Sequence, residues 1–254
     1  WIFRKRKCNV ILIQKIFFRH PVVFDYIYKL FNMIGYILSA GFGTRLLPLT
    51  EKVPKALLPT INNRPNIFHI IDFLLMYKVS NIYINLHHLG KQIKNNIKKV
   101  YPDLKISFLY EKEILGTGGA IKNIFNFVSE DVLIINCDLI YPRLDINNFI
   151  RFHYKNNSIL SLCLYKKNKN QTNIISFDII ENKLKLAGFN GGYIFSGIYI
   201  ISHKAKTFFP EEDKFTFYEG ILKNIYNNNV NVFAYKTKNI LSYGDTESYN
   251  KFKQ

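Results

Sequence analysis

From Met33 onward the chain alternates short apolar runs with segments whose apolar residues recur every three or four positions. The runs "IGYILSA" (34–40), "NIYINLHH" (81–88), "KISFLYE" (105–111), "DVLIINCD" (131–138) and "ILSLCLYKK" (159–167) predict strands, since Ile, Leu, Tyr and Val suit a buried pleated surface. Between them, "NIFHIIDFLLMYK" (66–78), "GKQIKNNIKKVY" (90–101), "GTGGAIKNIFNFV" (116–128) and "DINNFIRFHYKN" (145–156) carry the helical period. Strand, helix, strand at this spacing predicts right-handed crossovers and a mostly parallel sheet, an α/β fold. The pattern then changes. "IISFDIIENKLKLAGF" (174–189) predicts a hairpin turning at Glu181-Asn182, and "GGYIFSGIYIIS" (191–202) a further strand. A helix over 215–228, the strand "VNVFAYK" (230–236) and a last helix opening near Asp245-Thr246 complete the expectation.

Composition narrows the class. At 254 residues and 48% hydrophobic, the chain can bury a full core. Its formal net charge of +17 would suit a polyanionic partner. However, the lysines are scattered, and heavy use of Lys, Asn, Ile, Tyr and Phe is the pattern of an AT-rich coding sequence, so nucleic-acid binding is not expected. Cys8, Cys137 and Cys163 are far apart and odd in number, which argues against a disulfide framework and fits a reducing, cytoplasmic setting. Every apolar run is interrupted before it could span a bilayer. Residues 1–32 are basic and aromatic, and Lys15 and Arg19 break any signal-like run. They are expected to be upstream sequence rather than a working arm, with one domain over 33–254.

The chemistry concentrates at the end of the first predicted strand. Gly41 and Gly43 fall where parallel sheets bind ligands, and glycines there let backbone N–H groups approach phosphate oxygens. Leu46 stands where the dinucleotide fingerprint needs its third glycine, and no Gly-Lys-Ser/Thr follows as in a P-loop. A glycine pair after a strand is also what an ordinary tight turn requires. Arg45 and Lys55 favour the anion site, because two cations beside such a cradle can neutralise a phosphoryl group in transfer.

Gly41-Phe42-Gly43-Thr44-Arg45, Pro48-Leu49-Thr50 and Pro54-Lys55-Ala56-Leu57-Leu58-Pro59 together resemble the signature of the sugar-1-phosphate nucleotidylyltransferases. The resemblance runs from about Met33 to the C-terminus. It implies the nucleotide-diphospho-sugar transferase fold, a Rossmann-like three-layer sandwich, and a reaction joining a nucleoside triphosphate to a sugar 1-phosphate with release of pyrophosphate. It implies that Arg45 and Lys55 are catalytic and that Ala40, Gly41, Gly43, Thr44, Glu111, Gly116, Gly118 and Gly119 hold the nucleotide. "LGTGGAI" (115–121) is similar to the family's base-recognition turn, and "IFSGIY" (194–199) to the strand that places Gly197 under the sugar. "INCD" is similar to the family's Asn-Gly-Asp, which makes Asp138 the Mg²⁺ ligand.

Three departures matter. Cys137 replaces the glycine of Asn-Gly-Asp. Ser242 stands where the family carries a second metal aspartate, leaving Ser242 or Asp245 as the replacement, or Asp138 alone. No Glu-Lys-Pro lies between Phe177 and Gly197. The short form most resembles the group of mannose-1-phosphate, heptose-1-phosphate and N-acetylmuramate-1-phosphate enzymes. A nucleotide-sugar-binding homologue with little or no turnover is the rival reading, and a phosphocholine cytidylyltransferase would share the first motif. The adjacent His87 and His88 are expected to serve as a cap or surface feature.

Overall fold

A computed structural model describes residues 33–79, 81–140, 144–238 and 240–252. The expectation for residues 1–32 lies outside the described residues. The first half builds a parallel sheet. Strands β1 (Ile34–Leu38), β2 (Asn81–Leu86), β3 (Ile106–Tyr110) and β4 (Val132–Asn136) lie in the order β3-β2-β1-β4. Their connections carry a short helix α1 (Leu49–Lys52), then α2 (Asn66–Met76), α3 (Gly90–Val100) and α4 (Gly116–Ile124). β1 has β2 on one side and β4 on the other, so the strand order reverses there. Such a reversal leaves a crevice at the carboxyl ends of the two strands.

The period-2 alternation explains how the sheet is covered. Ile37, Leu133 and Ile135 enter one core with Ile70 and Leu74 of α2, Ile93 of α3 and Phe149 of α5 (Ile146–Lys155). Tyr36, Leu38, Val132 and Ile134 enter the other, with Ile121 and Ile124 of α4. Each such side chain contributes roughly 1.5–3 kcal/mol on burial, so a register slip, which would exchange the faces, is strongly disfavoured.

The second half departs from the mostly parallel expectation. After β5 (Leu139–Ile140) come β6 (Leu160–Lys166), β7 (Ser176–Ile180), β8 (Lys183–Leu186), β9 (Tyr193–Ile201), β10 (Val232–Thr237) and β11 (Leu241–Ser242). β9 runs antiparallel to both β4 and β6, and only β6 and β10 pair in parallel here. The sheet is therefore mixed. β7 also pairs with β9, which closes β9, β6, β10, β8 and β7 into a ring. The hairpin turns where expected, with Glu181 and Asn182 at φ 48° and 65° and Ile180 paired to Lys183. Two successive left-handed residues are the mark of a tight two-residue turn that matches strand twist. A π-helical turn (Tyr218–Leu222) leads into α6 (Lys223–Asn227), and α7 (Thr246–Asn250) ends the described chain.

Candidate active site

The crevice is a cavity of about 340 Å³ at the carboxyl ends of β1 and β4. Its first wall is the loop after β1. Ser39 donates from both N–H and Oγ to Asn85, each at 2.6 Å, tying the strand exit to β2. Gly43 then turns at φ 68°, and a Cβ there would lie 2.9 Å from Thr50 Cγ2. Thr50 Oγ1 donates back to Gly43 O at 2.9 Å, so this glycine is required by the turn itself. Gly41 differs, since a Cβ would meet no protein atom within 4 Å. The space it keeps open belongs to the cavity, whose walls include Gly41, Gly43 and Thr44.

The histidine pair does more than cap a strand. His88 Nε2 donates to Thr50 O and His87 Nδ1 to Glu111 O, both at 2.9 Å. Phe42 packs its ring 5.4 Å from each imidazole. The histidines thus brace the glycine loop, a role that adjacency alone does not announce.

Arg45 and Lys55 reach the same cavity. Arg45, on the turn Thr44–Leu46, holds Nη2 beside Gly244, where a Cβ would be 3.4 Å away. Lys55, on the turn Lys55–Leu57, pairs Nζ with Asp138 Oδ2 at 2.6 Å. The two side chains are only 14% and 20% exposed, so the pair is screened far less than a surface bridge. Asn66, fully buried at the start of α2, donates to Cys137 O at 2.7 Å and Leu139 O at 2.8 Å, fixing the peptides on either side of Asp138. Tyr243 donates its hydroxyl to Lys55 O at 3.1 Å and Cys137 O at 3.4 Å, and its N–H to Asp138 O at 3.2 Å. Burial pushes the Cys137 thiol up to about 12, so it is inert beside the carboxylate.

Glu111 closes the opposite wall with 7% exposure. It accepts from Asn85 Nδ2 at 2.7 Å and from the Leu115 N–H at 3.0 Å, which orients the glycine turn that follows. Gly116, at φ 73°, and Thr117 line the cavity. Gly118 and Gly119 do not. Both donate their N–H to Phe215 O, and a Cβ would fall 2.3 Å from Phe215 Cδ2 at Gly118 and 2.0 Å from Asp213 O at Gly119. Their missing side chains are used for packing against 213–217.

Gly197, at φ 84°, sits against the Asn136 side chain, where a Cβ would be 2.9 Å from Nδ2. It therefore acts on the cavity through Asn136, which lines it. Asn136 and Asn85 are site residues that sequence reasoning missed. Their signal was a polar residue at the end of an otherwise apolar strand.

The C-terminal positions separate. Ser242 is exposed on β11 and pairs with Leu139 in the small β5–β11 sheet. Asp245 caps α7, accepting from Ser248 N and Oγ at 2.8 Å each, and those bonds hold its carboxyl below the usual range. Both bonds go to Oδ1, so one oxygen of its carboxylate is taken by the helix end. Among the described residues, no three His, Cys, Asp or Glu side chains cluster as a metal cage. The donors fit a hard cation that arrives with phosphate oxygens and shares Asp138, and they do not fit a preformed all-protein site.

An open sheet that reverses at β1, with a glycine loop and two cations over the reversal, defines a phosphoryl-handling α/β protein. A family model described as nucleotidyl transferase matches residues 34–185, and the chain belongs to that family. Members of the family generally use a divalent metal ion. The D-glycero-alpha-D-manno-heptose 1-phosphate guanylyltransferase of Campylobacter jejuni is 28% identical over 198 residues, covering 76% of this chain and 86% of the relative. The mannose-1-phosphate guanyltransferase of Saccharomyces cerevisiae is 32% identical over 188 residues, covering 67% of this chain and 50% of the relative. Among solved structures, HddC from Yersinia pseudotuberculosis complexed with GMP-PN superimposes with a TM-score of 0.72 at 29% identity, covering 86% of this chain and 97% of that one. No helix of the described residues is long and apolar enough to cross a membrane.

Proposed function

We propose that this chain condenses a nucleoside triphosphate with a sugar 1-phosphate, releasing pyrophosphate, and that guanine is the base. The observation that carries the reading is the convergence of Arg45 and the Lys55–Asp138 pair on the cavity roofed by the Gly41–Gly43 loop. Loop amides and Arg45 would bind the β- and γ-phosphates. Lys55 would leave Asp138 for the α-phosphate as the sugar phosphate oxygen attacks the phosphorus in line and the bond to pyrophosphate breaks. Such a transition state asks for positioning and charge neutralisation more than for covalent help. Asp138 would hold Mg²⁺, which when bound neutralises the phosphate oxygens. Asn136 and Gly197 would form the floor for the sugar.

The relatives named above support the guanylyl choice. Helices against both faces of the parallel half support a Rossmann-like three-layer arrangement. Cys137 and Cys163, buried as free thiols, support a reducing compartment such as the cytoplasm.

A second reading, a nucleotide-sugar-binding protein with little turnover, is favoured by Ser242, exposed on β11 where the resemblance expects a second metal aspartate. The deciding experiment is a pyrophosphate-release screen of the common triphosphates against a panel of sugar 1-phosphates with Mg²⁺. Turnover with GTP and one hexose or heptose 1-phosphate is expected. Silence across the panel, with nucleotide-sugar binding intact, would replace the enzyme reading with the second one.

A further inference from the structure

We propose that Tyr243 is a positioning residue that sets the distance between Lys55 and Asp138, so that the C-terminal segment serves the site as a clamp instead of supplying a metal ligand. The inference rests on the reading that Lys55 and Asp138 act on phosphate. The two residues are 83 positions apart and stand on separate loops, one after Pro54 and one after β4. Asn66 holds the Asp138 side, and Tyr243 bonds to both loops. Its single hydroxyl proton is shared between Lys55 O at 3.1 Å and Cys137 O at 3.4 Å, while its own N–H holds Asp138 O at 3.2 Å. Its ring lies 5.6 Å below Lys55 Nζ, within range of a cation–π contact.

The environment fits a device rather than a packing accident. Tyr243 is completely buried, and burial, followed by the neighbouring Cys137 and Asp138, pushes its phenol well up, so it remains a neutral donor. Both carbonyls it binds have a second donor, the Leu58 N–H for Lys55 O and Asn66 Nδ2 for Cys137 O. Removing the hydroxyl therefore orphans neither carbonyl, and the fold should tolerate Tyr243→Phe, which also keeps the ring under Lys55. The same small core supplies a control. Tyr249 is equally buried, packs its ring 5.6 Å from Tyr243, and donates to Pro59 O at 2.9 Å, away from the Lys55–Asp138 pair.

The test compares Tyr243→Phe and Tyr249→Phe in the full chain, below both melting midpoints and after matching circular dichroism. With the substrates found in the screen, Tyr243→Phe should lower kcat about tenfold with KM for the nucleotide little changed, the result of a misplaced catalytic group. Tyr249→Phe should lower the midpoint without that loss. A second measurement needs no substrate: the acetylation rate of Lys55 by N-hydroxysuccinimide acetate, read by peptide mass spectrometry against Lys122. Lys55 should label faster in Tyr243→Phe than in the parent chain, and at the parent rate in Tyr249→Phe. Parent-like labelling of Lys55 in Tyr243→Phe overturns the clamp, whether or not any substrate pair turns over. Equal changes in both variants also overturn it, by showing only a shared structural loss. A silent screen with faster Lys55 labelling would sink the enzyme reading and leave the clamp standing.

Discussion

At the residue scale the site is a balance of charges around one carboxylate. Two cations, Arg45 and Lys55, face the cavity with Asp138, and Glu111 is engaged in holding the glycine turn. If the cations stabilise the transferring phosphoryl group, Lys55→Ala and Arg45→Ala should each lower kcat by about 10²-fold or more, since such electrostatic contributions are worth several kcal/mol. Lys55→Ala should also lower the melting temperature, because it leaves Asp138 without its partner. Steady-state rates near the parent's in either variant would remove that residue from the mechanism. Asp245 carries the opposite expectation. Asn caps helices as well as Asp does, so Asp245→Asn should keep activity, whereas Asp245→Ala should lose about 1 kcal/mol of stability. The depressed Asp245 carboxyl implies stability that is present above the ordinary aspartate range and lost as pH falls through the folded value, a loss absent from Asp245→Asn in acid unfolding. Ser242→Asp would add a carboxylate beside the Asp138 loop, and a magnesium titration should then reach half-maximal activity at lower concentration. An inactive Asp245→Asn, with no gain from Ser242→Asp, would instead give Asp245 the missing role.

At the element scale, the glycine-rich first turn of α4 is a joint between two parts of the molecule. The Phe215 ring fills the space left by both Gly118 and Gly220, where added Cβ atoms would lie 2.3 Å and 2.2 Å from Phe215 Cδ2. Thr117 Oγ1 accepts the Phe217 N–H at 2.9 Å across the same joint. Gly118→Ala must displace that ring and with it the start of α4, so a loss of roughly 1–3 kcal/mol is expected from overpacking. Because α4 opens at the cavity wall, KM for the nucleotide should rise as well. Denaturant midpoints and initial rates on one preparation check both. A parent-like midpoint would show that the joint gives way freely.

At the scale of the whole molecule, a parallel half that carries the Gly41–Gly43 loop is joined through β4 and β9 to a ring of five strands. The line between them runs beneath the cavity, with Asn136 on β4 against Gly197 on β9. If residues 1–32 are upstream sequence, a chain beginning at Met33 should match the parent in melting temperature and turnover, as calorimetry and the pyrophosphate assay would report. Loss of either would show that residues 1–32 pack on the domain and cover apolar surface.

The repeating apolar runs determined the strands and helices in order, because period 2 and period 3.6 are local properties of a chain. That the glycine loop, Arg45, Lys55 and Asp138 would meet at one cavity was legible too, since such sheets gather ligand-facing residues at their strand ends. The path of β9 was not legible, because antiparallel and parallel burial leave the same apolar signature in a single strand. Nor were Asn66, Asn85, Asn136 and Tyr243, whose partners across the site lie between 26 and 188 positions away. Sequence spacing reports what neighbours along the chain can do together. Only packing decided that the C-terminal tyrosine would bridge the Lys55 and Asp138 loops, that Asp245 would cap a helix, and that Gly118 would make room for a phenyl ring.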